Sequence, residues 1–170
     1  MKKKYVGTLI VSLLVLGTVF GSGCLLFPGG SHPTKYIHDV FMSMHIDYDE
    51  VANINYTYVE EYFKSKGAGV TTYLDESYEP KTAEYGFNVY NYANTESPGI
   101  ADISIFARTR ENGTKYAMYH FIFYPDSKHD DSDDVEYIKE YIKESANGVA
   151  DICNLTLNWD NAKWTVNYSD

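Results

Sequence analysis

The stretch "ISIFARTRENGTKYAMYHFIFY", residues 103–124, decides the fold, because two alternating runs flank an Asn-Gly pair. Alternation of apolar and polar side chains is the pattern of half-buried strands. Asn112-Gly113 between such runs favours a tight β-hairpin, since both residues tolerate positive φ. The stretch therefore predicts antiparallel strands over residues 100–110 and 115–124. Large apolar side chains stand on both sides of the second strand, so we expect it to be covered on both faces.

Similar runs lie on either side of this hairpin. Residues 70–78 and 84–93 predict two strands before it, and residues 38–47 alternate as a first strand. That first run also fits a helical stripe, so a helix is the alternative there. The predicted inward side chains are Tyr85, Phe87, Val89, Ile103, Ile105 and Ala107. A last alternating pair, 149–159 and 163–168, predicts a hairpin in which Trp159 stands opposite Trp164.

Two segments have helical rather than strand periodicity. Asp47, with Glu50 three residues later, has the form of a capping box and opens a predicted helix over residues 49–66. A second helix begins at Asp133, which we expect to be its cap, and ends at Asn147-Gly148. The element order is β-α-ββββ-α-ββ. The predicted fold class is α+β, a single domain over residues 36–170 with two helices packed on an antiparallel sheet.

The N-terminal segment has the layout of an export signal. Lysines at positions 2–4 precede an apolar run over residues 5–20, and small residues follow in "TVFGSGCLLFPGG", residues 18–30. "GSGC" resembles the lipobox of prokaryotic surface lipoproteins, in the looser small-Gly-Cys form that is similar to archaeal members. The resemblance implies cleavage after Gly23 and a lipid on Cys24.

These features divide the chain into a signal peptide (1–23), a lipidated cysteine with a flexible spacer (24–35), and the globular domain. The spacer is rich in Pro and Gly, which block regular structure. The alternative is an uncleaved transmembrane anchor over residues 5–27, which is long enough to span a bilayer. Both interpretations place the domain on the outer face of the cell membrane.

Charge restricts the possible partners. The chain has 14 basic and 24 acidic side chains, and loss of three lysines with the signal lowers the net charge from −10 to −13. Such a surface repels phosphate backbones, so nucleic acid is not an expected partner. Besides the membrane, which the lipid on Cys24 contacts, we expect another envelope protein or a glycan as partner.

Beyond Cys24, the second cysteine and the asparagine sequons are the residues that bear on modification. Cys153 falls on an apolar face and is interpreted as a small buried residue. The four Asn-x-Ser/Thr sequons are at Asn55, Asn112, Asn154 and Asn167, which makes glycosylation possible in a suitable host. Asn112 is the best acceptor, because a sugar on a hairpin turn points outward.

No catalytic, cofactor-binding or metal-binding residue is assigned from sequence. The acidic run 126–134 lacks the spacing of a known calcium loop and is interpreted as a solvated helix start. His120 lies in an apolar strand without a motif around it. The tyrosine excess, 17 residues, suggests contact surface, with Tyr73, Tyr78, Tyr90 and Tyr92 as candidates for exposure.

Three hypotheses follow for the tethered domain. The first, which we favour, is a non-catalytic binding or structural domain. The second is an envelope enzyme whose catalytic residues converge from separate strands, with His120 as the candidate histidine. The third is a domain stabilised by calcium at residues 126–134.

The lipid anchor gives the first testable prediction. Cys24→Ser should abolish lipid attachment, so that the protein is released or kept only as an uncut precursor. Cys153→Ser is the matched control: it should leave anchoring intact, although a hydroxyl on an apolar face costs about 1–3 kcal/mol of stability. Intact mass of the membrane-extracted protein measures both. An unmodified chain that still carries residues 1–23 would contradict the lipoprotein interpretation.

Overall fold

The structure is a computed structural model that describes residues 35–72, 83–93 and 97–169. Within these ranges the strands are β1 (Ile37–Ile46), β2 (Gly69–Thr72), β3 (Tyr85–Tyr92), β4 (Gly99–Thr109), β5 (Lys115–Pro125) and β6 (Lys163–Tyr168). The α-helices are α1 (Tyr48–Ala52), α2 (Tyr56–Ser65) and α3 (Val135–Cys153). Short 3-10 helices span Ser132–Asp134 and Trp159–Asn161. The signal peptide, Cys24, the spacer as far as residue 34, and residues 73–78 of the predicted strand 70–78 lie outside the described residues.

The strands form one antiparallel sheet in the order β2-β3-β4-β5-β1-β6. The α+β prediction and the antiparallel sheet are confirmed, and residues 38–47 form a strand, not a helix. β1 lies inside the sheet next to the edge strand β6, and it pairs with β5 on one side and β6 on the other. The predicted hairpin is therefore extended by strands from both ends of the domain.

The hairpin between β4 and β5 is confirmed, but its turn is longer than a two-residue loop. Gly113 N–H donates to the Arg110 carbonyl at 2.8 Å, and Gly113 has a φ of +81° while Asn112 does not have a positive φ. This is the geometry of a type I turn followed by a left-handed glycine. The Asn112 side chain accepts a bond from Thr114 N–H at 3.0 Å, which holds the turn in this form.

One face of the sheet and the helices share a single core. The alternating residues of β4 and β5 that face the helices are buried, among them Ile103, Ile105, Tyr119, Phe121 and Phe123. The Tyr119 hydroxyl, fully buried, donates to the Ala146 carbonyl of α3 at 3.4 Å. Of the predicted inward set, Phe87, Val89, Ile103, Ile105 and Ala107 are buried and Tyr85 is partly buried.

The predicted helix 49–66 is two helices. Asp47 caps α1 as expected, accepting from the N–H groups of Asp49 and Glu50. Asn53 then ends α1, and the Asn55 side chain caps α2 by accepting from Tyr58 N–H. Asparagine side chains compete with the backbone for hydrogen bonds, which favours helix ends over helix interiors.

The Glu50 side chain does not complete the capping box. Its carboxylate accepts from Thr156 N–H at 2.7 Å and from Thr156 Oγ1 at 2.9 Å. Glu50 therefore connects α1 to the segment after α3, and this contact joins residues that are far apart in sequence.

The predicted helix end at Asn147-Gly148 and the predicted strand 149–159 are wrong, because α3 runs on to Cys153. An interior glycine costs about 1 kcal/mol relative to alanine, whereas burial of one valine side chain contributes about 1.5–3 kcal/mol. Continuing the helix buries Val149, Ala150 and Cys153, so packing outweighs the local stop signal. The helix ends instead at Asn154, which is left-handed with φ 54° and ψ 47°.

The contact between Trp159 and Trp164 is present, but without the predicted hairpin. The rings stack with centroids 6.4 Å apart and an interplanar angle of 14°. Trp159 lies on a 3-10 turn and donates from Nε1 to Asn147 Oδ1 of α3 at 3.2 Å. The two tryptophans therefore connect β6 to α3 rather than to a neighbouring strand.

Two glycines give a prediction about stability. A Cβ at Gly86, whose φ is +136°, would stand 2.2 Å from the Ile105 carbonyl oxygen, so Gly86→Ala should cost about 2 kcal/mol or more. Gly148 is helical, and a Cβ added there would meet no atom within 4 Å, so Gly148→Ala should stabilise by about 0.5–1 kcal/mol. Urea unfolding measures both. Equal midpoints for the two variants would contradict this packing of β3 on β4.

Candidate functional site

The second face of the sheet, which we call the open face, is not part of the core. Four apolar side chains on it are each partly exposed, and none packs against the core cluster; they are Phe41, Phe106, Met118 and Ile122. The expectation that β5 is covered on both faces is therefore not met by the described residues. Antiparallel sheets commonly bury one face and leave the other to solvent.

A row of polar side chains crosses the middle of the open face. The strand register places one residue of each strand opposite the next, in the order Thr71, Asn88, Ser104, His120, Ser43 and Lys163. We call this set the polar row. Cross-strand neighbours of this kind have Cβ atoms about 5 Å apart. Every strand of the described sheet thus contributes one polar side chain to the same line.

Apolar side chains border the polar row on both sides. Phe41 stands opposite Ile122 on one side, and Phe106 stands opposite Met118 on the other. The register that produces the polar row therefore also produces its two apolar borders. Mixed surfaces of this type, apolar with a few aligned polar groups, are typical of ligand sites.

His120 is the centre of this arrangement. Its imidazole lies edge-on to the rings of Phe41 and Phe106, with both centroid distances 5.3 Å. Partial burial between the two rings lowers the pKa of His120, because the charged imidazolium is poorly solvated there. At neutral pH the side chain is therefore an uncharged donor and acceptor.

A shallow cavity of about 190 Å³ opens on the same face. Its lining includes Asn88, Ser104 and His120 of the polar row, with Tyr90, Asp102 and Ile122 beside them. The Asp102 carboxylate accepts from Asn91 N–H at 3.0 Å, so one of its oxygens is already used. Among the described side chains no hydrogen bond joins Ser104, His120 and Asp102 to one another.

The charged groups of the open face stand mostly at its ends. At the hairpin end, the guanidinium groups of Arg108 and Arg110 lie over the Tyr116 ring at 5.1 and 4.7 Å from its centroid. At the other end Asp39 accepts a bond from the Asn167 amide at 2.8 Å. Between the two ends, the described strands place Asp102 beside the cavity and Lys163 at the β6 edge.

The acidic run 126–134 forms a turn and a helix start, and its predicted cap is corrected. Asp131, not Asp133, accepts a capping bond, from Asp133 N–H at 3.0 Å, and it caps the 3-10 helix that precedes α3. Asp134 is the N-cap residue of α3 itself and makes no side-chain capping bond. Asp126 Oδ1 lies 2.8 Å from His129 Nδ1, which lowers the pKa of Asp126. Within residues 35–72, 83–93 and 97–169, no group of three or more His, Cys, Asp or Glu side chains is placed to hold a metal ion.

The modification sites lie in different settings. Cys153 is buried as predicted, on a helix rather than a strand, and burial raises the pKa of its thiol to about 12. Asn112 lies exposed on the hairpin turn, and Asn154 is the exposed left-handed end of α3. Asn55 and Asn167 use their side chains in the internal hydrogen bonds already described. Cys24 is outside the described residues, and no described helix is long and apolar enough to cross a membrane.

Of the tyrosines expected to be exposed, Tyr90 is 39% exposed and lies on the open face. Tyr92 is half-buried and packs edge-on to Phe63 with centroids 5.3 Å apart. A bulge at left-handed Asn91 resets the alternation and turns Tyr92 toward the core. Tyr73 and Tyr78 are outside the described residues.

The sequence offered no signal for the polar row, because its members come from six strands and align only through the register.

The lowered pKa of His120 predicts a pH dependence of stability. The unfolded chain binds the proton with a pKa near about 6.5, while the folded protein binds it less tightly, so acidification favours unfolding. Stability should fall as pH drops below about 6.5, and His120→Gln should lose less over the same interval. Urea midpoints at pH 7, 6 and 5 measure this. Parallel pH profiles for the two proteins would contradict it.

No family model matches this chain, and neither a curated protein nor a solved structure is similar to it. The open face combines the polar row, the two apolar borders and the small cavity in one part of the described domain.

Proposed function

We propose that this protein is a lipoprotein of the outer face of the cell membrane, tethered through a lipid on Cys24, whose domain binds another envelope component. The observation that carries the binding function is the open face, where aromatic and apolar side chains stay partly exposed. Contiguous apolar surface that a monomer leaves uncovered commonly marks an interaction site. The export signal and the "GSGC" sequence support the location.

Catalysis at the same place is the second candidate function. Ser104, His120 and Asp102 line one cavity, and the pKa of His120 is lowered, which are the features expected of converging catalytic groups. Against this stands the geometry: Asp102 bonds to Asn91 N–H, and His120 is oriented by two phenyl rings rather than by a carboxylate. Binding needs no further alignment of these groups, and we favour it for that reason.

Site-specific photo-crosslinking in intact cells tests the binding function. A benzophenone residue inserts into nearby C–H bonds, so it captures proteins and glycans alike. In the full-length protein it replaces Tyr90, on the open face, or the control Tyr137, which is 51% exposed on α3. We expect a discrete product from position 90 and none from position 137, because Tyr90 lines the cavity of the open face, whereas Tyr137 stands on α3 beside the His129 ring.

Two outcomes would contradict this function. Equal products at both positions, or none at either, would show that the open face is not a preferred contact. The native protein could also hydrolyse a chromogenic ester. If Ser104→Ala and His120→Gln both lose that activity, the protein is an enzyme and the proposed binding function is wrong.

A further inference from the structure

We infer that the ligand of the open face is an uncharged linear glycan lying along the polar row, across the strands. This inference rests on the proposed binding function and names its ligand. Four observations support it: the hydrogen-bonding types in the row, the apolar borders, the cavity, and the distribution of charge.

The central side chains of the polar row both donate and accept hydrogen bonds. Serine and threonine hydroxyls do so, as do an asparagine amide and a neutral imidazole. Sugar hydroxyls have the same double capacity, so a row of such groups can pair with them in either direction. Carboxylates only accept and ammonium groups only donate, and the one such group in the row, Lys163, stands at its β6 end.

The apolar borders match the other surface of a sugar. A pyranose ring presents C–H groups on its faces and hydroxyls around its rim. With the hydroxyls on the polar row, the C–H groups of a ring that lies over β5 stand beside Phe41 and Ile122 on one side and Phe106 and Met118 on the other. Rows on one face of a sheet are about 6.7 Å apart along the strands, which places both borders within van der Waals reach of one ring.

The dimensions fit an extended chain rather than a single small molecule. Six strands about 4.8 Å apart make a row of about 24 Å between its end members, long enough for several sugar rings. The cavity at Asn88, Ser104 and His120 holds about 190 Å³, the volume of about six waters. That is room for one ring to sit deeper than its neighbours. Asn88, only 8% exposed, forms its floor.

Charge argues against a polyanion as the ligand, and sheet geometry argues against an extended peptide. The domain as a whole is strongly acidic, so chains rich in phosphate or carboxylate are repelled at long range, although Arg108, Arg110 and Lys163 stand on the open face itself. A peptide in extended form adds to a sheet at an edge strand, through backbone groups. The outermost strands of the described sheet are β2 and β6, and the polar row runs across the face from one to the other, at right angles to the strand edges that a peptide would use.

The test uses the full-length protein in a detergent without a sugar headgroup, because a maltoside would compete for the site. The neutral probes are maltohexaose, cellohexaose, chitohexaose and a linear mannan, and the charged comparator is oligogalacturonate. Isothermal titration calorimetry reports the affinity. We expect at least one neutral probe to bind, and oligogalacturonate to bind at least tenfold more weakly or not at all.

Variants locate the site. Ser104→Ala and His120→Gln should each weaken binding of the neutral probe by about tenfold, the loss of one net hydrogen bond. Phe41→Ser tests the apolar border and should weaken it by a similar factor. The matched control is Ser65→Ala, on α2 of the helix side, which should bind as the native protein does. Far-ultraviolet circular dichroism checks that each variant is folded.

Each remaining outcome overturns the inference. If no neutral probe binds, the glycan inference is refuted. It is also refuted if Ser65→Ala weakens binding as much as Ser104→Ala, His120→Gln and Phe41→Ser do. Binding of oligogalacturonate as tight as that of the neutral probes refutes the charge argument. If the crosslink at Tyr90 captures a protein while no glycan binds, the binding function stands and only this inference falls. If neither is found, both fall.

Discussion

The register of β5 against its two neighbours is the constraint on which the rest of the structure depends. β5 pairs with β4 over eleven positions and with β1 over seven, so its alternation is fixed from both sides. A slip of one residue would move Tyr119, Phe121 and Phe123 from the core into solvent. Burial of one such ring contributes about 1.5–3 kcal/mol, so a slip would cost several kcal/mol and the register is unique.

That register specifies the open face as a consequence. Once the odd-numbered side chains of β5 enter the core, His120 must emerge on the other face between Met118 and Ile122. The strands beside it then place Ser104 and Ser43 at its flanks. Burial on the core side selects the register, so the packing of the core does not restrict which side chains the open face carries.

The helices illustrate how packing overrides local signals. Asn147-Gly148 has the composition of a helix end, yet α3 continues because Val149 and Cys153 extend its buried stripe. At Asn53 and Asn55 local hydrogen bonding sets the helix ends instead, and the two short helices still bury Val51 and Val59 without forming one continuous helix. Glu50 was expected to cap its own helix and instead holds Thr156, a partner distant in sequence. Local hydrogen bonding therefore sets the helix boundary at Asn53 and Asn55, whereas burial of apolar side chains extends α3 past Asn147-Gly148.

The sequence by itself determined the α+β class, the antiparallel hairpin and the inward residues of β3 and β4, because alternation with period two is a local property of the chain. Export and a lipid on Cys24 stay predictions from sequence, and they rest on a short motif whose recognition does not depend on the fold of the domain. Only the tertiary structure decided that β1 lies between β5 and β6 and that α3 replaces a predicted strand. It alone assembled Thr71, Asn88, Ser104, His120, Ser43 and Lys163 into one row. His120 could be singled out from sequence, but its neighbours could not. They are adjacent only through the pairing of strands that are distant in sequence, as Ser43 and Lys163 are, and pairing is selected by the burial of the opposite face.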